Sequence, residues 1–165
     1  MLYEFHGICQ HCAEENKVIF LNGELLSECS KCSQSPFVVK RFRGIIYVIH
    51  NPNQAGVKIG LTTKSMEQRL KSLNSTGVPG NFQTIAIFPS DNPAADEKRV
   101  HDKLRRKNLA KEHFDIEPVD AVLAAYRALN KRQPIFFDDS IRDTFHLKLE
   151  KARIEMQLRL KGVAE

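Results

Sequence analysis

Four cysteines fall in two short pairs, Cys9-Gln-His-Cys12 and Cys29-Ser-Lys-Cys32, with sixteen residues between the pairs. Two thiolates three positions apart can hold one ion from a tight turn, and two such turns complete a tetrahedron. The spacing is that of a structural zinc site, which cross-links a segment too short to build its own core. A disulfide framework belongs to oxidising compartments. A redox pair belongs beside a βαβ pattern, which is missing here. Cys9, Cys12, Cys29 and Cys32 are therefore the expected zinc ligands. His6 and His11 lie close by, but four thiolates already satisfy the metal. A second concentration of chemistry surrounds Tyr47 and Lys58. They sit in two apolar runs, 45–49 and 57–61, joined by a link rich in turn residues (Asn51, Pro52, Asn53, Gly56).

The first run is apolar on both faces and reads as a central strand. The second alternates, with Val57, Ile59 and Leu61 on one face and Lys58 and Gly60 on the other. Pairing the two strands makes a concave polar spot that the Tyr47 hydroxyl and the Lys58 ammonium share.

Around these strands the chain reads as an α+β protein. Between the cysteine pairs, Val18–Leu21 and Glu24–Leu26 flank Asn22-Gly23, the strongest short hairpin signal. Knuckle, hairpin and second knuckle make a zinc ribbon over residues 1–41. A junction follows at Lys40-Arg41-Phe42-Arg43, whose cations either contact phosphates or end a solvated strand. Residues 42–130 form the second domain. In it, Ser65 and Gln68 form a capping box for a helix over 66–73 whose apolar face is Met66, Leu70 and Leu73. Asn74 to Gly80, with Gly77 and Pro79, ends that helix. Phe82–Phe88 reads as a third strand. Asn92-Pro93 starts a helix to Lys107. Its stripe is Ala94, Glu97, His101 and Leu104. A carboxylate there is an anomaly, because an unpartnered buried charge is costly. Glu97 either has a chemical role or sits at the stripe's edge paired with an arginine. Lys103, Arg105, Arg106, Lys107 and Lys111 form the densest basic run, read as a phosphate-facing helix end or a solvated face. A helix over 119–129 follows. Residues 131–165 are a linker and a C-terminal helix, capped by Ser140 and running to Lys161.

The chain has 165 residues, 42% of them hydrophobic, enough for a domain of about 100 residues plus a small appendage. No apolar run is long enough to span a bilayer, and the first residues lack the order of a signal peptide. A soluble, cytoplasmic protein is expected. Lys plus Arg number 25 against 20 acids. That balance suits a nucleic-acid partner without requiring one.

The succession Gly44-Ile-Ile-Tyr47, Lys58-Ile-Gly60, Arg69 and Glu97 resembles the GIY-YIG nuclease superfamily over about residues 43–129. Lys58 stands where its second motif has Tyr, as in a phage- and bacteria-associated branch with Lys-Ile-Gly. Glu112-His113-Phe114 resembles that branch's closing motif. The histidine that often follows the family's arginine is absent, with Asn74 and Ser75 near its place. The late Asn has no clear counterpart. The resemblance implies a three-stranded antiparallel sheet flanked by helices. It also implies metal-dependent hydrolysis of phosphodiester bonds, with nucleic acid, DNA above all, as partner.

In that implied site, Glu97 holds a single Mg²⁺ or Mn²⁺ and Arg69 clamps phosphate oxygens. Tyr47 binds or deprotonates the attacking water. Lys58 supplies the cation that a phenolate needs, or holds the phosphate. Gly60 leaves room for the nucleic-acid backbone. His101 either orients Glu97, accepts a proton, or is a boundary histidine. Lys40, Arg41 and Arg43 are the other expected substrate contacts. The reading from a different class is a catalytically weak or inactive fold that only binds nucleic acid or protein. The last helix packs back on the domain, or serves a homodimer or a docking partner.

Overall fold

The protein is described by a computed structural model over residues 2–74 and 79–160, and it separates into two compact units, residues 1–41 and 42–165. The expected positions Ser75, Gly77 and Lys161 lie outside the described residues.

In the first unit, β1 (Leu2–Ile8), β2 (Glu15–Leu21) and β3 (Glu24–Leu25) form an antiparallel sheet in that order. The β2–β3 turn has φ of 52° at Asn22 and 90° at Gly23, the positive pair that a type I′ turn demands. β1 pairs with β2 along its whole length, from Leu2 opposite Leu21 to Ile8 opposite Glu15. Sequence patterning misses β1 because nearly all of its side chains are exposed. The two knuckles are built alike. Ala13 N–H donates to the Cys9 carbonyl at 3.0 Å, and Ser33 N–H to the Cys29 carbonyl at 2.9 Å. Both Ala13 and Ser33 adopt positive φ. Val18, Cys9 and Cys29 are buried apolar residues of this unit.

The second unit is built on β4 (Gly44–His50), β5 (Val57–Thr62) and β6 (Gln83–Ser90), the three strands expected, with β4 in the middle. Three short strands widen the sheet: β7 (Asn108–Ala110), β8 (His113–Phe114) and β9 (Ile135–Phe136). The order is β7-β8-β5-β4-β6-β9, and every pairing is antiparallel. Strands of two or three residues have no periodicity to read, so only tertiary pairing reveals them. Four helices, α1 (Met66–Leu73), α2 (Pro93–Leu104), α3 (Pro118–Ala128) and α4 (Asp139–Leu160), cover the sheet.

β4 is apolar on both faces because each face has its own core. Ile46 and Val48 join Ile59, Phe88, Val100, Val122 and Phe145. Tyr47 and Ile49 join Phe82 under the Met66, Leu70 and Leu73 face of α1. Ser65 is the N-cap expected, with Gln68 N–H donating to Ser65 Oγ at 3.2 Å.

Several boundaries differ from the sequence reading. α2 ends at Leu104, and Arg105–Lys107 is a 3₁₀ turn. Its buried residues are Asp96, Val100 and Leu104, while Ala94 is exposed and Glu97 and His101 flank the stripe. α4 is capped by Asp138, not Ser140: the Ile141 N–H donates to Asp138 Oδ1 at 2.9 Å. Its first half packs back on the unit, with Phe145 wholly buried against the rings of Tyr126 and Phe136. From 150 to 159 every side chain is exposed. None of the described helices is long and apolar enough to cross a membrane.

Candidate active site

The four sulfurs of the first unit lie within 4.8 Å of one another. Cys9 and Cys32 are 3.7 Å apart, and Cys12 and Cys29 are 3.6 Å apart. A tetrahedral ion with Zn–S bonds of about 2.3 Å requires edges of about 3.8 Å. The residues fit zinc. Two of the sulfurs receive N–H donors, Cys9 Sγ from the His11 backbone at 3.4 Å and Cys29 Sγ from Asn16 Nδ2 at 3.3 Å. At Cys12 the Glu14 backbone hydrogen bond is outweighed by burial and the neighbouring thiols, which push that thiol up to about 12. The Cys32 backbone N–H outweighs burial at Cys29 and brings that thiol down to about 6. His6 pairs with Glu4 instead.

The second site is built on the face of β4 and β5 that α1 covers. Tyr47 and Gly60 are directly paired across the strands. A Cβ on Gly60 would lie 2.7 Å from Tyr47 Cζ and 3.1 Å from Glu112 Oε2, so only glycine leaves that space. Arg69, one turn into α1, donates to the Tyr47 hydroxyl from Nε at 3.1 Å and from Nη2 at 2.9 Å. Its guanidinium also stands 5.5 Å from the centroid of the Tyr47 ring.

Beyond Lys58 the outer edge of β5 loses its strand neighbour, and α2 takes over. The Leu61 N–H donates to Glu97 Oε1 at 2.9 Å, and His101 Nε2 meets the Ile59 carbonyl at 3.0 Å. The Glu97 anomaly is thus explained by a backbone amide. The acid that pairs with arginine is its neighbour Asp96, buried against Ser90, Arg99 and Arg132. Glu97 is half-buried, and its Oε2 has no hydrogen-bond partner among the described residues. One tethered carboxylate with a free oxygen fits a hard divalent ion that keeps most of its waters.

Electrostatics separate the phenol from the role of a ready base. Burial pushes the Tyr47 hydroxyl above 10, Arg69 opposes it, and the Glu112 and Glu97 carboxylates add a smaller upward push. The cation hydrogen-bonded to the phenol is Arg69 rather than Lys58. The Lys58 ammonium forms an ion pair with Glu112. His113 stands directly across from Lys58 on β8. Burial, then the Lys58 charge, lower its imidazole below the ordinary value, against Glu112. A cleft of about 740 Å³ opens between the end of β5 and α1, lined by Leu61, Thr62, Thr63, Lys64, Arg69 and Lys71 among others.

Residues 44–130 match the T5orf172 domain, more than half of the chain. The chain belongs to the T5orf172 family. No curated protein and no solved structure matches it.

Within the T5orf172 domain the fold joins Tyr47 to Arg69, sets Gly60 against Tyr47 and Glu112, pairs Lys58 with Glu112, and tethers Glu97 to the Leu61 amide, next to Gly60 on β5. It does not bring His101 to the phenol: its Nε2 is engaged with β5 and its ring packs 5.0 Å from Phe114. Arg43 precedes β4 and is exposed, while Lys40 and Arg41 are exposed residues closing the other unit. None of the three takes part in the hydrogen bonds around Tyr47. Glu112 and His113 were legible only as a motif; no periodicity marks an acid that reaches back to Lys58.

Proposed function

We propose that this T5orf172 protein is a metal-dependent endonuclease of the GIY-YIG type that hydrolyses phosphodiester bonds of DNA, carried on a zinc ribbon. The observation that carries the reading is the double hydrogen bond of the Arg69 guanidinium to the Tyr47 hydroxyl, which stands over the space that Gly60 leaves open, with Glu97 tethered to the backbone amide of the next residue, Leu61. In hydrolysis the water oxygen bonds to phosphorus, the bond to the 3′ oxygen breaks, and a proton passes from water to leaving group through basic groups or solvent. Arg69 is placed to hold phosphate oxygens from the cleft while it fixes the phenol. Tyr47, kept protonated, has its own O–H free to orient the water or a phosphate oxygen. His113, held neutral on the same face, is suited to take the water's proton. A Mg²⁺ or Mn²⁺ ion on Glu97 supplies charge stabilisation at the phosphate and leaving oxygen.

The test is cleavage of labelled DNA and RNA by purified protein with metals varied and Glu97→Ala as control. Nicking that requires Mg²⁺ or Mn²⁺ and disappears in Glu97→Ala supports the reading. Equal cleavage by Glu97→Ala removes the metal role. One observation favours the second reading, a binding module without cleavage: the ion pair of Lys58 with Glu112 takes up the ammonium that would otherwise meet substrate. Full affinity with no cleavage under either metal selects it.

A further inference from the structure

The β7–β8 hairpin leads straight into the site, since Lys111 closes its turn and Glu112 and His113 follow. The stretch Lys103-Leu-Arg-Arg-Lys-Asn-Leu-Ala-Lys111 holds five cations and no acid. All five are exposed. Several other cations of this unit are neutralised: Arg99 and Arg132 by Asp96, Lys58 by Glu112, Lys148 by Asp120, and Arg142 by Asp139 and Asp143. Those without an ion pair among the described residues, such as Lys64, Lys98 and Arg127, are not gathered in so dense a run. Among the described residues, none of the five cations of this stretch forms an ion pair.

The row is held by the fold. Asn108 Nδ2 donates to the Lys111 carbonyl at 2.7 Å, and the Asp115 N–H donates to the Lys107 carbonyl at 2.7 Å. Lys103 ends α2, Arg105–Lys107 form the 3₁₀ turn before β7, and Lys111 closes the turn after it. Like charges fixed side by side repel one another, and a polyanion relieves that repulsion.

We infer that this basic stretch, from the end of α2 to the β7–β8 turn, is the track for the phosphate backbone of duplex DNA that flanks the phosphate at Arg69; the choice of polymer rests on the nuclease reading. Such contacts set affinity and register and carry no sequence information. Each phosphate neutralised adds about 0.9 to the slope of log affinity against log salt.

The experiment measures binding of the full chain to a labelled DNA duplex across a salt series, without added divalent ion, so that no cleavage is needed. Arg105→Gln, Arg106→Gln and Lys107→Gln together are expected to lower the slope by about 2.7. Arg106→Gln alone, expected to lower it by about 0.9, serves if the triple variant fails to fold. Lys151→Gln, Arg153→Gln and Arg159→Gln remove the same charge from the exposed end of α4, and are expected to change the slope by less than about 1. An unchanged slope in the variants of the basic stretch, equal falls in both triple variants, or no duplex binding by the unsubstituted protein overturns the assignment. Cleavage is scored separately with Mg²⁺. Absent cleavage with the slope difference intact rejects the nuclease and keeps the track, and active cleavage with no slope difference does the reverse.

Discussion

Arg69 commits two of its guanidinium N–H donors, Nε and Nη2, to a single acceptor, the hydroxyl of Tyr47, at 3.1 and 2.9 Å. The two residues are 22 positions apart, one on the central strand and one on the helix that covers it. The phenol oxygen has its acceptor capacity filled, and among the described residues no acceptor takes its proton.

The position of Tyr47 gives it a part in the alkaline behaviour of the protein. Tyr47 is held above the ordinary phenol value by burial. A raised folded-state value means that its contribution to stability is complete below about pH 10 and is lost as pH rises further. Tyr47→Phe is therefore expected to flatten the loss of stability above about pH 10. Urea midpoints across alkaline pH, with phenolate absorbance of the two proteins compared, check it. Equal alkaline slopes would count against the assignment.

Gly60→Ala places a methyl group against the Tyr47 ring and the Glu112 carboxylate. Overpacking of this kind costs about 1–3 kcal/mol. Because the displaced groups are those of the site, cleavage should fall more steeply than thermal stability. Activity and melting temperature measured on the same preparation separate the two effects.

Asp96→Asn strips the charge from a carboxylate that Ser90 and Arg132 hold in a buried position. A loss of about 2–3 kcal/mol at neutral pH is expected, since one partner of a charged hydrogen-bond network disappears. Burial raises the Asp96 value, but Ser90 and Arg132 together bring it below 3.8. The contribution is therefore present above about pH 4 and fades as pH falls through the lowered value, so the two proteins should converge in acid. Denaturant titrations from neutral to acid pH read this directly.

Metal analysis should find about one zinc per chain, as a closed four-thiolate site takes. Chelation or Cys29→Ser should unfold the first unit, because such sites supply the folding free energy of segments this small. Amide exchange in residues 2–41 should rise, while protection on β4 and β5 persists.

Phe145→Ala should cost about 3–5 kcal/mol, the range for deleting a wholly buried aromatic ring. For the same reason a chain cut near Asn130 loses core contacts along with the helix end, and light scattering on it would confuse unfolding with loss of a dimer. Ile154→Glu, on the exposed end of α4, tests self-association without touching the core. An unchanged mass by light scattering removes this segment as a dimer contact.

Legibility followed element length and local chemistry. The Asn22-Gly23 turn, the Ser65 N-cap, Asn92-Pro93 and the cysteine pairs announce themselves within a few residues, because each satisfies a local steric or ligand rule. β4 was readable because burial on both faces leaves a continuous apolar run. β1, β8 and β9 were not, since exposure or shortness erases alternation. On α2 the apolar spacing misled: a stripe through Ala94 and Glu97 is as regular as the buried one through Asp96 and Val100. The Ser90 hydroxyl, Arg99 and, from across the fold, Arg132 make a buried aspartate tolerable there.

The sequence by itself determined the inventory: four thiols at ligand spacing, and a phenol, an ammonium, a guanidinium and a carboxylate in an order that resembles a nuclease family. Tertiary structure decided which of these meet. It gave the phenol to Arg69 and the Lys58 ammonium to Glu112, and it tethered Glu97 to the edge of β5. The reason is physical. A side chain's type and spacing are properties of the local chain, whereas a charge's partner, burial and protonation depend on groups that folding brings from 22, 54 and 36 residues away.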